Sequence, residues 1–264
     1  MRPLGFVSAA ALGGIACVGS TGGELVSFPA AAAGPADADP TRAFEFVTSR
    51  GWNVVLTKAV LHVGAVYLDQ SSPVSGSQGT NCILPGTYVA EVTSGRDVDL
   101  LSPEPQLFSV SGQGTTIPPA LVGQVWLTGG DVNSPDDTTP ILVVAGTAGM
   151  GNATAISFEA TITIGANRQA TGGQSAGNSA ICKQRIVSVP TDVTVKSTGG
   201  LLVRIDPRAL FTNVDFSGLQ AGADGTYVFS DEPSSPGYNQ PSRNLFQNLE
   251  SAGTLYRFTW SDGL

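Results

Sequence analysis

Ile156, Phe158, Ala160, Ile162 and Ile164 alternate with Ser157, Glu159, Thr161 and Thr163. An apolar residue at every second position gathers on one face only in a β-strand; a helix would scatter the same side chains around its circumference. The pattern returns where Val193 and Val195 separate Asp192, Thr194 and Lys196, and where Tyr256, Phe258 and Trp260 enclose Arg257 and Thr259. Further apolar runs cover Phe44–Val47, Trp52–Leu68, Tyr88–Val92, Val98–Leu101, Leu121–Leu127, Ile141–Ala145, Ile186–Val189, Leu201–Ile205 and Thr226–Phe229, punctuated by Gly, Pro, Asn and Asp. About ten short strands without interleaved helices predict an all-β fold, an antiparallel β-sandwich with long loops. Trp52–Leu68 is too long and too apolar for a simple edge strand. It either bends near Lys58–Ala59 and serves both sheets, or lies centrally with both faces covered. Leu245, Phe246 and Leu249 form one helical stripe behind a Ser242 cap and before Gly253, which predicts one short C-terminal helix. Arg204 to Phe211 reads as a strand leaving its sheet into a single helical turn.

Met1-Arg2-Pro3 carries one positive charge, and Leu4 to Ala16 is an apolar stretch of signal-peptide length, too short to span a bilayer. Gly14-Ile15-Ala16-Cys17 resembles a bacterial lipobox, with Gly14 where such boxes usually carry Leu. The resemblance implies that Cys17 is lipidated and becomes the new N-terminus. Val18 follows in place of the Asp that retains such lipoproteins at the inner membrane, so the resemblance points to the outer membrane. The other reading is an ordinary signal peptide cleaved after Ala30–Ala33. Both place the chain outside the cytoplasm, at the bacterial outer membrane or in the periplasm; the first attaches it to a membrane through lipid. Residues 1–17 are thus signal peptide and lipobox. Residues 18–41, rich in Gly, Ala and Pro, read as a flexible linker reaching about 25–30 Å, and residues 42–264 as a single sandwich domain.

Lipidation of Cys17 leaves Cys82 and Cys182 of the three cysteines, and export predicts a disulfide between them. Two separate buried thiols are the alternative. The net charge of −8, with Lys and Arg scattered singly, repels phosphate backbones and excludes nucleic acid as a partner.

The phrase Trp52 to Leu68, together with Trp126-Leu127-Thr128-Gly129-Gly130-Asp131, Cys182-Lys183-Gln184-Arg185 and Tyr256-Arg257-Phe258-Thr259-Trp260, resembles uncharacterised envelope lipoproteins of proteobacteria and myxobacteria. That resemblance implies an address and a fold but no activity. A more distant likeness is to the β-rich periplasmic copper-protein partners of methanobactin systems; no metal motif is shared, and no residue role is carried over.

Candidate chemistry is sparse. Gly173-Gln174-Ser175-Ala176-Gly177 matches the nucleophile-elbow pattern, but its flanks are a Gly/Ser loop and the single histidine precedes it. Gly146-Thr147-Ala148-Gly149-Met150-Gly151 follows a strand like a dinucleotide-binding turn, yet no helix follows to receive a pyrophosphate. Asp131, Asn133, Asp136 and Asp137 place four oxygen-bearing side chains within seven residues; the spacing departs from the EF-hand pattern, so the set reads first as a solvated turn, with calcium as the alternative. His62 could ligate a metal, against the reading of a satisfied histidine in or near the core with Lys58 four residues away. Glu45, Glu91 and Glu159 lie in predicted strands, and nothing selects a pair among them for glycoside hydrolysis. The leading expectation is a non-enzymatic, lipid-anchored protein with a structural role or one that binds a protein, glycan or small ligand through sandwich loops, and that needs no cofactor unless calcium fills the acidic segment. A copper- or calcium-binding envelope lipoprotein comes second, and a carbohydrate-active enzyme third.

Overall fold

The computed structural model describes residues 22–72, 87–127, 139–163, 185–231 and 239–264. They form an all-β, sandwich-like body of three sheets with one α-helix. A six-stranded sheet runs β1 (Leu25–Phe28), β9 (Gly112–Thr115), β6 (Tyr88–Val92), β5 (Ala65–Asp69), β10 (Ala120–Trp126) and β13 (Arg185–Val193). A seven-stranded sheet runs β15 (Gln220–Ala221), β16 (Tyr227–Phe229), β12 (Ile156–Thr163), β11 (Pro140–Gly149), β4 (Asn53–Val63) and β3 (Phe44–Val47). Its seventh strand, β7 (Arg96–Asp99), pairs with the second half of β4. A four-stranded sheet orders β17 (Tyr256–Ser261), β14 (Gly200–Ile205), β2 (Ala30–Ala33) and β8 (Gln106–Leu107). The pairing is mostly antiparallel, with parallel exceptions at β14–β2 and β12–β16.

The strands are shorter and more numerous than the alternation predicted, seventeen among the described residues. Two-residue pieces such as β8 and β15 are too short to show a period. Trp52–Leu68 does serve both sheets, but it divides at Gly64, where β4 ends and β5 begins. The Gly64 amide donates to the Trp126 carbonyl at 2.8 Å, which ties the crossing point to β10. Near the predicted bend the strand carries instead a register shift, between the Ala145–Lys58 and Gly146–Leu56 pairs. Gly146 lies inside β11, and a Cβ there would stand 2.1 Å from the Val55 carbonyl oxygen. Its glycine therefore serves close strand approach, in agreement with discarding the dinucleotide reading.

The largest correction concerns residues 18–41. Leu25–Phe28 and Ala30–Ala33 are strands; β1 pairs with β9, and β2 lies between β14 and β8. Ala31, Ala32 and Ala33 have no solvent exposure. A run of alanines looks like a linker by composition, but its small side chains are what let β2 sit between two strands with both faces covered. The next turn is bound to the body as well. Arg204 donates to the Gly34 carbonyl at 2.8 Å, and the Arg208 guanidinium grips both Asp37 carboxylate oxygens at 2.8 and 3.0 Å. That hydrogen bond to Arg208 holds the Asp37 carboxyl below its ordinary range. The folded domain thus begins by Leu25 rather than at residue 42.

As expected, β14 passes into one helical turn. Asp206 accepts from the Arg208 amide and Pro207 opens a 3-10 helix through Phe211. The α-helix, α1, spans Gln240–Leu249, with Asn239 rather than Ser242 as its cap. Ser242 sits one turn in, where its amide and hydroxyl both donate to the Asn239 side chain.

One continuous core takes the inner faces of all three sheets. Its centre is aromatic: Phe211 packs against Phe158, Phe216, Phe229 and Phe46 with ring centroids 5.6–6.4 Å apart. Phe258 of β17 reaches under Gly123 of β10, where a Cβ would meet its ring at 2.4 Å, so the small sheet and the six-stranded sheet interlock.

Candidate functional site

The inner face of the six-stranded sheet is apolar, and its outer face should be solvated and polar, as in a two-layer fold. It is neither simply polar nor simply exposed. Strand parity places Tyr67 and Asp69 of β5, and Gln124 and Trp126 of β10, opposite to the core-facing Val66, Leu68 and Val125. Glu91 of β6 lies beside Tyr67, Tyr88 beside Asp69, and Arg185 of β13 beside Trp126. The result is a row across four adjacent strands. Tyr88 and Tyr67 ring centroids are 5.5 Å apart, Tyr67 and Trp126 5.4 Å, and the Arg185 guanidinium stands 4.7 Å from the Trp126 ring centroid. The last contact is a cation–π stack.

Asp69 and Gln124 lie within this face with 0% exposure. Gln124 Nε2 donates to Asp69 Oδ2 at 2.6 Å. Asp69 Oδ1, Gln124 Oε1 and Trp126 Nε1 are buried and find no hydrogen-bond partner among the described residues. Each such group costs free energy unless something satisfies it. Burial pushes the Asp69 carboxyl up to about 6, against the opposing pull of the Gln124 hydrogen bond and the Arg185 charge. Burial also raises both Tyr67 and Tyr88 and lowers Arg185.

That shift has a measurable consequence. An acid whose pKa is raised in the folded state holds its proton more tightly there, so the contribution of Asp69 to stability is greatest below about 4 and is lost as pH rises to about 6. Asp69→Asn removes the ionisation and keeps an oxygen for Gln124. We expect the variant to lose this pH dependence and, at pH 7.5, to exceed wild type by about 1–3 kcal/mol. Urea denaturation at pH 4.5 and 7.5 measures it. Parallel pH profiles for the two proteins would show that Asp69 titrates alike in the folded and unfolded chains.

Cys17, Cys82, Cys182, Asp131, Asn133, Asp136 and Asp137 lie outside the described residues. His62 is not a core histidine: it sits on the outer face of the seven-stranded sheet, with Nδ1 2.6 Å from Asp97 Oδ1. It borders an open groove of about 580 Å³ floored by Val60, Ile141 and Val143. Among the described residues no three His, Cys, Asp or Glu side chains gather as a metal would require. Glu45 lines a separate polar hollow with Asp37, Asp39 and Arg208, far in sequence from Glu91 on the aromatic face.

Sequence reasoning did not single out the aromatic row, although three phrases quoted above contain Tyr67, Trp126 and Arg185. The signal was there in parity, since Tyr67 and Trp126 occupy the position that alternation assigns to solvent. What no parity count supplies is that β6, β5, β10 and β13 are neighbours.

No family model matches the chain, and no curated protein does. Among solved structures it is similar to MbnP from Methylosinus trichosporium, with 10% identity over 90% of this chain and 98% of that one, at a TM-score of 0.32. A likeness of that degree transfers no property.

Proposed function

We propose that this is an exported, lipid-anchored protein of the bacterial cell envelope that binds rather than transforms its ligand, and that it recognises a glycan on the outer face of the six-stranded sheet. The observation that supports this most directly is the Tyr88–Tyr67–Trp126–Arg185 row. Aromatic rings offer large, rigid contact area at small entropic cost, and a half-buried aromatic row on the sheet face turned from the core presents such area for recognition. A neutral polyhydroxylated ring suits it, having C–H faces to stack on tyrosine and hydroxyls to exchange hydrogen bonds at the edges. The net charge of −8 weighs against polyanionic ligands.

The lipidation reading gains support from β2. Cleavage after Ala33 would remove β1 and β2, opening the four-stranded sheet between β14 and β8. Cleavage before Cys17 leaves every described strand in place.

Calorimetric titration with neutral gluco-, chito- and manno-oligosaccharides and with purified peptidoglycan fragments tests the binding role. We expect at least one probe to bind, and Tyr67→Ala to weaken it about tenfold or more, as loss of a central aromatic anchor does. Equal affinity of wild type and Tyr67→Ala would remove the row from recognition, and failure of every probe to bind would overturn the glycan reading.

A further inference from the structure

The point at which the chain enters the fold is rigid and apolar. The Thr116 amide donates to the Glu24 carbonyl at 3.0 Å, and the Glu24 amide to Thr116 Oγ1 at 3.2 Å, which extends the β1–β9 ladder by one pair beyond Leu25–Thr115. Ile117 then lies against Gly23, its backbone nitrogen 2.6 Å from where a Cβ on that glycine would stand. Leu25 is 60% exposed and Ile117 54% exposed. Two large aliphatic side chains are therefore exposed at nearby positions of one ladder, at the end of the domain nearest Cys17 in the sequence.

Only six residues, 18–23, separate Cys17 from Glu24. Fully extended, that chain spans at most about 25 Å. Each headgroup layer is itself about 5–7 Å thick. A lipidated Cys17 at the glycerol level thus keeps Glu24 within about 20 Å of the headgroup surface, so this end of the domain is the one held nearest the lipid.

We propose that the β1 end of the six-stranded sheet docks on the phospholipid surface, with Leu25 and Ile117 inserted at the boundary between headgroups and acyl chains. This rests on the lipid-anchor reading. Short aliphatic side chains entering that boundary gain apolar burial that they lack in water. Docking fixes the orientation of the body: the edge of β1, which pairs only with β9 among the described residues, faces lipid and is shielded from association with other chains.

The acylated full-length protein, reconstituted into phosphatidylcholine vesicles, tests this by amide hydrogen exchange against the Cys17→Ala protein in solution. We expect the amides of Gly23–Leu25 and Thr115–Ile117 to exchange about tenfold more slowly on vesicles. In acylated Leu25→Asp/Ile117→Asp that protection should vanish while the protein stays on the vesicles, and in Val228→Asp, an exposed position on β16, it should persist. Leu25→Ser/Ile117→Ser repeats the test with a milder change, and a wild-type melting midpoint confirms that each variant is folded. Acylated wild type without protection at these amides overturns the docking alone. A purified chain lacking the diacylglyceryl mass overturns the anchor, and the docking with it.

Discussion

Phe211→Ala is expected to destabilise the protein by about 3–5 kcal/mol. Phe211 has no solvent exposure and touches four other rings, those of Phe46, Phe158, Phe216 and Phe229. Truncation removes its transfer energy and leaves a cavity that a ring of neighbours from β3, β12, β16 and the 3-10 turn Phe216–Gly218 cannot collapse to fill. Against a total stability of about 5–15 kcal/mol for a typical domain, the loss places the variant near its folding threshold. Urea denaturation reads the midpoint directly. A cost below about 1 kcal/mol would mean that these rings are not close-packed.

Cys17→Ala is expected to move the protein from the membrane pellet to the soluble fraction almost completely. Each buried CH₂ of an acyl chain contributes about 0.8 kcal/mol, so two or more chains anchor stably where a single one binds reversibly. Leu25 and Ile117 together offer about the burial of two aliphatic side chains, roughly 3–6 kcal/mol even if fully inserted, which gives marginal binding at most. Among the described residues no helix is long and apolar enough to cross a membrane. Fractionation with a high-salt wash decides it, and a variant retained in the pellet would show that an element other than lipid holds the protein there.

The parts of the fold legible in the sequence are those written by local periodicity. β12 and β17 follow the alternation of Ile156–Ile164 and Tyr256–Trp260, the Asp206-Pro207 turn follows from capping chemistry, and α1 follows from a single stripe of Leu245 and Leu249. Where composition and periodicity disagreed, composition misled. Ala30–Ala33 has the makeup of a linker, and only the presence of β14 on one side and β8 on the other makes four alanines a buried strand. His62 shows the same limit. Its strand was evident, but whether its parity faced the core depended on the register shift in β4 and on pairing with β7.

By itself the sequence determined that this chain is acidic and built of strands, because charge and a period of two are properties of neighbouring residues. Tertiary structure alone decided where the domain begins and which residues share its surfaces. Tyr88, Tyr67, Trp126 and Arg185 are spread over nearly 120 positions, and Leu25 and Ile117 over about 90. Each set is assembled by the order of strands in one sheet, and strand order is fixed by long-range burial, which no local pattern encodes.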